Sequence, residues 1–142
     1  MIRGSCFCGA LQFEIDQVSL LRHCHCSFCR KETGSAFGTL AVVRPEHFHW
    51  KQGEGLVKLY RYPPDGVRAS CSVCGGKAPL RLLGDAIVAV PAGLLDDDPG
   101  VRPVLHQFAA SKAPWWEITD SLRQFPQWVP GYEPDWAKGD AP

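Results

Sequence analysis

The sequence lacks the features that mark membrane, secreted and nucleic-acid-binding proteins. Its fifteen basic and fifteen acidic side chains cancel, so no general field would gather nucleic acid or anionic lipid. No run approaches the roughly 20 apolar residues of a membrane span, and the first residues contain no apolar segment of a secretory signal. We therefore expect a soluble, cytoplasmic protein that binds neither membranes nor nucleic acid.

Helical periodicity is also scarce. The best candidates for helical turns are residues 27–33 and 121–124. By contrast, Leu11, Phe13 and Ile15 alternate with polar neighbours, as in a half-buried strand. Further strand-like runs, each bounded by Gly, Pro or Asp, are residues 38–43, 56–62, 79–83, 86–90 and 104–109. The pattern predicts a mainly β fold with short helical turns.

Length and composition favour a single domain. The chain has 142 residues, of which 45% are hydrophobic, enough to bury one core without a partner. A polar stretch containing Pro and Gly begins at Pro130 and is typical of a loosely held end. We predict a domain over residues 1–130 and a C-terminal tail over residues 131–142.

Seven cysteines are the most informative part of the composition. An odd number without a secretory signal disfavours a disulfide framework, and metal binding is the leading interpretation. The thiols occur in three clusters: Cys6 and Cys8; Cys24, Cys26 and Cys29; Cys71 and Cys74.

Two of these clusters predict one closed site. Glycines follow both pairs, at Gly9 and at Gly75 and Gly76, which lets backbone pass close to the sulfurs. Together the pairs supply the four thiolates of a structural zinc site, namely Cys6, Cys8, Cys71 and Cys74. The alternatives are metal-free core cysteines and a redox pair at Cys71 and Cys74. The redox pair is disfavoured because no βαβ pattern surrounds it.

The remaining three thiols predict an open site. Cys24, Cys26 and Cys29 lie within six residues, so one local turn can present all three to a metal. Three protein ligands with a free fourth position are typical of catalytic zinc. The alternative is a second structural site in which His23 or His25 supplies the fourth ligand.

Several spaced blocks resemble the family of glutathione-dependent formaldehyde-activating enzymes, which includes centromere protein V. The blocks are residues 4–10, 24–31, 33–37, 71–75, 111–115 and 118–125. The resemblance implies an Mss4-like (β-tent) fold and the same partition of ligands, with two zinc ions per chain, one structural and one labile. It also implies condensation of glutathione with formaldehyde to S-(hydroxymethyl)glutathione, a reaction classed in reverse as a carbon–sulfur lyase.

Thiol addition at a three-thiolate zinc site calls for nearby cations, because the site carries a net charge of about −1. Arg30, Lys31 and Lys112 are candidates to offset this charge or hold glutathione carboxylates, and Trp115 is a candidate wall of the pocket. The alternative for each is a solvated surface or rim position.

Two functions follow from the sequence. The first is a zinc enzyme that joins a small-molecule thiol, such as glutathione, to a small aldehyde. The second is a non-enzymatic zinc-stabilised module that binds a partner, a thiol or zinc.

Overall fold

A computed structural model describes residues 1–134, and over these residues the chain is built mainly from short strands. The strands are β1 (Ile2–Ser5), β2 (Gln12–Ile15), β3 (Leu20–Cys24), β4 (Gly38–Val43), β5 (Phe48–Gln52), β6 (Val57–Tyr62), β7 (Gly66–Cys71), β8 (Leu80–Leu82), β9 (Ile87–Pro91), β10 (Pro103–Gln107) and β11 (Arg123–Gln124). The helical segments are α1 (Ser27–Thr33) and 3-10 turns at Pro45–His47, Glu54–Leu56, Ala92–Leu94 and Ala109–Ser111. In this part of the chain no helix has both the length and the apolar character to cross a bilayer.

The largest sheet places the middle cysteine cluster. Its strand order is β11-β10-β3-β4-β9-β8. β3 runs antiparallel to β4, with Cys24 opposite Gly38, and parallel to β10, with Cys24 opposite Gln107. Cys24 therefore ends a strand that is held on both sides.

A smaller sheet closes over this one and completes the main core. Its order is β1-β2-β5, and β6 and β7 form a separate hairpin. Phe13 of β2 stacks on Phe48 of β5 at 5.3 Å between ring centroids, and Trp50 meets Phe13 edge-on at 6.1 Å. These rings pack in one cluster with Ala41 and Val43 of β4. Burial of each phenylalanine or valine in this cluster stabilises the fold by about 1.5–3 kcal/mol relative to exposure.

The acidic turn after β9 pairs with basic and polar side chains. Asp97 accepts hydrogen bonds from Arg3 at 2.8 and 2.9 Å, and Asp98 forms a similar pair with Arg102. Asp96 accepts from the Ser5 hydroxyl. Asp96 and Asp97 therefore hold the turn against β1, whereas Asp98 pairs with Arg102 ahead of β10.

The prediction of a mainly β chain with short helical turns is confirmed. The helix and strand predicted at residues 27–33 and 38–43 coincide with α1 and β4. The helical turn predicted at residues 121–124 is wrong, because Arg123 and Gln124 form β11 by pairing in parallel with Leu105 and His106. β1, β3, β5 and β7 were not among the predicted strands.

Only the first residues of the predicted C-terminal tail belong to the described part of the chain. Tyr132 donates its backbone N–H to Val129, and the Arg22 guanidinium lies 5.5 Å from the centroid of the Tyr132 ring. Residues 135–142 of the predicted tail lie outside the described residues.

Candidate functional site

The first candidate site collects four cysteines from distant parts of the chain. Cys6 and Cys8 follow β1, whereas Cys71 ends β7 and Cys74 lies just beyond it. Their four Sγ atoms all lie within 4.8 Å of one another. We call these four residues the closed group. It ties the beginning of the chain to its middle.

Glycines shape both turns of the closed group. Gly9 and Gly75 have φ angles of 78° and 72°, in the left-handed region that glycine enters without strain. Gly9 donates its N–H to the Cys6 carbonyl at 3.0 Å, and Gly75 donates to the Cys71 carbonyl at 2.8 Å. These bonds fold each turn back so that both of its sulfurs face the other turn.

Backbone N–H groups stabilise negative charge on the sulfurs. Leu11 donates to Cys6 Sγ at 3.3 Å, and Gly76 donates to Cys74 Sγ at 3.4 Å. Burial raises the pKa of Cys6, but hydrogen bonds from Leu11 and Cys8 outweigh it and lower the pKa to about 6. The Gly76 N–H lowers the pKa of Cys74 in the same way. Cys6 and Cys74 therefore favour thiolate, the form that binds metals. At Cys8 the Ala10 N–H lowers the pKa, but burial and the bonds with the neighbouring thiols outweigh it and raise the pKa to about 11.

The sulfur spacing of the closed group fits a metal and excludes disulfides. The Cys6 and Cys8 sulfurs are 3.7 Å apart, and those of Cys8 and Cys71 are 3.9 Å apart. A disulfide requires about 2.05 Å, whereas a tetrahedron with Zn–S bonds of about 2.3 Å has edges of about 3.8 Å. All seven cysteines are free thiols. The closed group could thus hold a metal ion with four thiolates.

The second candidate site lies at the junction of β3 and α1. Cys24 ends β3, Cys26 is the N-cap of α1 and Cys29 lies in its first turn. Their three Sγ atoms lie within 4.8 Å of one another, and this group, as found among residues 1–134, includes neither His23 nor His25. We call these three cysteines the open group.

The strand-to-helix change itself brings the open group together. The Cys26 sulfur accepts the backbone N–H of Cys29 at 3.3 Å, which replaces the oxygen of a usual N-cap side chain. Thiol hydrogen bonds from Cys24 and Cys29 lower the pKa of Cys26 to about 2, against the opposing effect of burial. The bonds with Cys24 and Cys26 raise the pKa of Cys29. The donor set is therefore sulfur-rich, and its hydrogen bonds favour thiolate at Cys26, as soft divalent metals prefer.

A buried arginine lies near the open group. Arg22 is 4% exposed, and its Nε has no hydrogen-bond partner among the described residues. Burial lowers the pKa of Arg22, whereas negative charge on Cys24 and Cys29 opposes that effect. A guanidinium in such surroundings is costly unless an anion compensates it. When Cys24 and Cys29 are deprotonated, as in a metal-bound site, the open group supplies that anion.

A second cationic cluster borders Cys29. The Arg68 Nη1 atom lies 4.0 Å from Cys29 Sγ and 3.2 Å from a Glu32 carboxylate oxygen. Lys77 pairs with the same carboxylate. Two cations share one carboxylate, so one positive charge remains to balance the thiolates.

Aromatic rings surround this cluster on its exposed side. Phe28, which is 53% exposed, stacks on Tyr62 at 4.9 Å, and Tyr62 stacks on Tyr60 at 6.1 Å. A cavity of about 60 Å³ borders Cys29 and Arg68 on the inner side. Drug-sized ligands need roughly 300 Å³ or more. Only a very small molecule therefore fits this cavity.

The predicted substrate-contact residues occupy varied surroundings. Arg30 is half-buried on α1 and Lys31 is exposed on the same helix. Lys112 donates to the Trp116 carbonyl at 2.6 Å, and Trp115 is 69% exposed. Among the described residues, no hydrogen bond joins these four side chains to the open group.

Histidines on and next to β3 and β10 form a hydrogen-bond network. His25 Nε2 lies 2.7 Å from His106 Nδ1, and His106 Nε2 lies 2.9 Å from an Asp120 carboxylate oxygen. His25 is fully buried and His106 is 2% exposed. His23 bonds instead to the Thr39 hydroxyl at 2.8 Å.

Sequence reasoning did not identify Arg22, Arg68, His106 or Asp120. Arg22 and Arg68 precede cysteine clusters by two and three residues, and a charge inside a strand close to a ligand pair is a usable signal. His106 and Asp120 meet His25 only because β10 pairs with β3, which no local pattern reveals.

One comparison with known proteins identifies a family. The model of the glutathione-dependent formaldehyde-activating enzyme family matches residues 1–111. The chain is also similar to the crystal structure of a Rhodobacter sphaeroides protein, with 25% identity and a TM-score of 0.55. That match covers 71% of this chain and 91% of the other. A comparison with curated proteins finds no significant match.

Proposed function

The chain belongs to the glutathione-dependent formaldehyde-activating enzyme family, and from that premise we propose that it is a zinc-dependent enzyme that adds a thiol to a small aldehyde. Glutathione and formaldehyde are the proposed substrates, and S-(hydroxymethyl)glutathione is the product. In reverse the reaction is a carbon–sulfur lyase reaction. The closed group holds a structural zinc, and the open group holds the reactive zinc.

The observation that carries this proposal is the asymmetry of the two thiol groups. The closed group offers four sulfurs and the open group offers three, with no histidine of the described residues added to either. Zinc held by three protein ligands keeps one position for a substrate group and lowers the pKa of whatever binds there. A closed set of four serves structure and offers no such position.

The arginines next to the open group support binding of an anionic thiol. Zinc with three thiolates carries a net charge of about −1, which would repel a second anion. Arg22 stays buried beside this charge, and Arg68 stays within 4.0 Å of Cys29 Sγ. Both cations are fixed before substrate arrives, so little reorganisation is needed when a thiolate approaches.

The predicted substrate contacts extend this arrangement. Arg30, Lys31 and Lys112 are proposed to meet the carboxylates of the thiol substrate, and Trp115 is proposed to cover it. Among these residues, Arg30 has a donor, Nε, that lacks a hydrogen-bond partner among residues 1–134.

We expect Arg68→Gln to raise the KM for glutathione about tenfold, since a charge-assisted contact contributes about 1.5 kcal/mol or more. Steady-state kinetics at constant zinc loading measures this. Arg61→Gln is the matched control, because Arg61 is exposed on the neighbouring strand β6 and should leave KM unchanged. Equal KM values for the two variants would contradict the role of Arg68.

The reaction itself is tested by NMR. Zinc-loaded protein mixed with glutathione and formaldehyde should form S-(hydroxymethyl)glutathione faster than the uncatalysed mixture, and metal-stripped protein should not. Exchange spectroscopy on the hydroxymethyl signal measures the rate at equilibrium. A rate equal to that of buffer, with zinc loading verified, would overturn the proposed activity.

A second candidate is a non-enzymatic interaction module, favoured by two exposed apolar side chains on the closed group. Phe7 is 93% exposed and Val73 is 64% exposed, each at the tip of its cysteine turn. Such tips are suited to contact with a partner. Two equally tight zinc ions, unaffected by thiol, together with no acceleration in the NMR assay, would favour this candidate.

A further inference from the structure

A buried chain of hydrogen bonds leads from the surface to the turn that carries the open group. Asp120, 45% exposed, bonds to His106 Nε2, and His106 Nδ1 bonds to His25 Nε2 at 2.7 Å. His25 lies between two cysteines of the open group. Asp120 lies beyond residues 1–111, which the family model matches. We call Asp120, His106 and His25 the histidine chain.

The polarity of the histidine chain is set from its exposed end. The bond with His106 lowers the pKa of Asp120, so this side chain is a carboxylate and can only accept. His106 therefore carries a proton on Nε2. The buried His25 Nδ1 has no hydrogen-bond partner among the described residues, so a proton there would be an unsatisfied donor; the N–H of His25 therefore belongs on Nε2, which donates to His106 Nδ1.

The His25 ring has a single side-chain hydrogen bond among the described residues, the one with His106. Its ring is fully buried, and its Nδ1 has no hydrogen-bond partner among the described residues. The ring otherwise makes aromatic contacts, with centroids 5.0 Å from both Phe37 and His106. The backbone N–H of His25 donates to Gln107 on β10 at 3.0 Å. Side chain and backbone of His25 are thus both fixed to β10.

Fixing His25 also fixes the sulfurs on either side of it. Successive side chains of extended backbone point to opposite faces of a sheet, so a ring held on the face that carries His106 turns Cys24 and Cys26 to the other face. A backbone that rotated at His25 would misdirect both sulfurs at once. Groups that orient ligands in this way typically change metal affinity by 10–100-fold.

We propose that Asp120 and His106 are positioning residues, which hold His25 as the Nε2–H tautomer and thereby keep Cys24 and Cys26 in a metal-binding conformation. This inference rests on the proposed function, because it assumes that the open group binds zinc. It assigns the retention of the labile zinc to a carboxylate outside the thiol clusters.

Zinc competition with a chromogenic chelator tests the inference. Asp120→Ala and His106→Leu should lower the zinc affinity of the weaker of the two sites 10–100-fold. The affinity of the tighter site should stay unchanged. His106→Gln should keep the wild-type affinity, because the glutamine amide can donate to Asp120 and accept from His25. Asp16→Ala is the matched control, since Asp16 bonds to His49 at 2.8 Å in another Asp–His pair. Should His106→Leu fail to fold, Asp120→Ala and His106→Gln still decide the matter.

A spectroscopic measurement separates positioning from general destabilisation. Long-range ¹H–¹⁵N NMR of the wild type should show the proton of His25 on Nε2, and Asp120→Ala should give a mixture of tautomers. The Nδ1–H tautomer in the wild type, or unchanged zinc affinity in Asp120→Ala, would overturn the inference. Wild-type protein that binds only one zinc would overturn the proposed function instead, whatever the tautomer.

Discussion

Replacing Cys71 with serine should destabilise the fold by about 3 kcal/mol or more and lower the melting temperature by about 10 °C or more. Cys71 is 1% exposed. Its sulfur lies 3.9 Å from the sulfur of Cys8, which is 63 residues away in sequence. A structural zinc contributes its binding free energy to folding, about 10–16 kcal/mol in small zinc peptides. Loss of one of four thiolates forfeits much of that contribution.

Thermal unfolding followed by circular dichroism, with zinc measured on the same sample, checks this expectation. Ser72→Ala is the matched control, because Ser72 is exposed in the same turn and leaves the thiols intact. Unfolding of Cys71→Ser at the wild-type temperature with full zinc content would contradict the structural role of the closed group.

Replacing Cys29 with serine should have the opposite consequences. The protein should remain folded, with a melting temperature close to that of the wild type, because the open group lies within one local segment and clamps no distant strands. It should lose the weaker zinc, and kcat/KM should fall by at least about 100-fold, since removing a ligand costs more than disturbing a group that orients one.

Metal analysis and kinetics on the same preparation measure both effects. Ser27→Ala on the same helix is the matched control, because Ser27 is exposed and contributes no thiol. An unfolded Cys29→Ser alongside a stable Cys71→Ser would reverse the assignment of the two groups. Full activity of Cys29→Ser would remove the open group from the mechanism.

The sequence could predict the features that depend on residues close together in the chain. Cys26 and Cys29 are three residues apart, so a single helical turn brings their sulfurs together, and Gly9 and Gly75 mark turns wherever they occur. β4 was predictable because Gly38–Val43 is a nearly uninterrupted apolar run ending at Arg44. Local chemistry decides all of these features.

Other parts depend on pairing between distant segments. β3 contains Arg22 and His23, which break the apolar pattern of a buried strand, yet both are accommodated by β10, Tyr132 and the open group. Arg123 and Gln124 follow a helix-start pattern, but they pair with β10 and are extended. Tertiary contacts override local preference at such positions.

The histidine chain likewise depends on pairing between distant segments, so the sequence alone does not reveal it. Asp120 is 14 residues from His106 and His106 is 81 residues from His25. Only the parallel pairing of β10 with β3 brings the imidazoles to hydrogen-bonding distance. Spacing in the sequence identifies candidate ligands, whereas the residues that orient those ligands become visible only in the folded chain.

The central claim is that one thiol group retains its zinc while the other exchanges it. Zinc per chain, measured by elemental analysis before and after incubation with glutathione and gel filtration, tests this most directly. We expect about two zinc ions before treatment and about one afterwards, with the retained ion lost only on unfolding. Two zinc ions that both survive glutathione, or a single zinc at the outset, would contradict it.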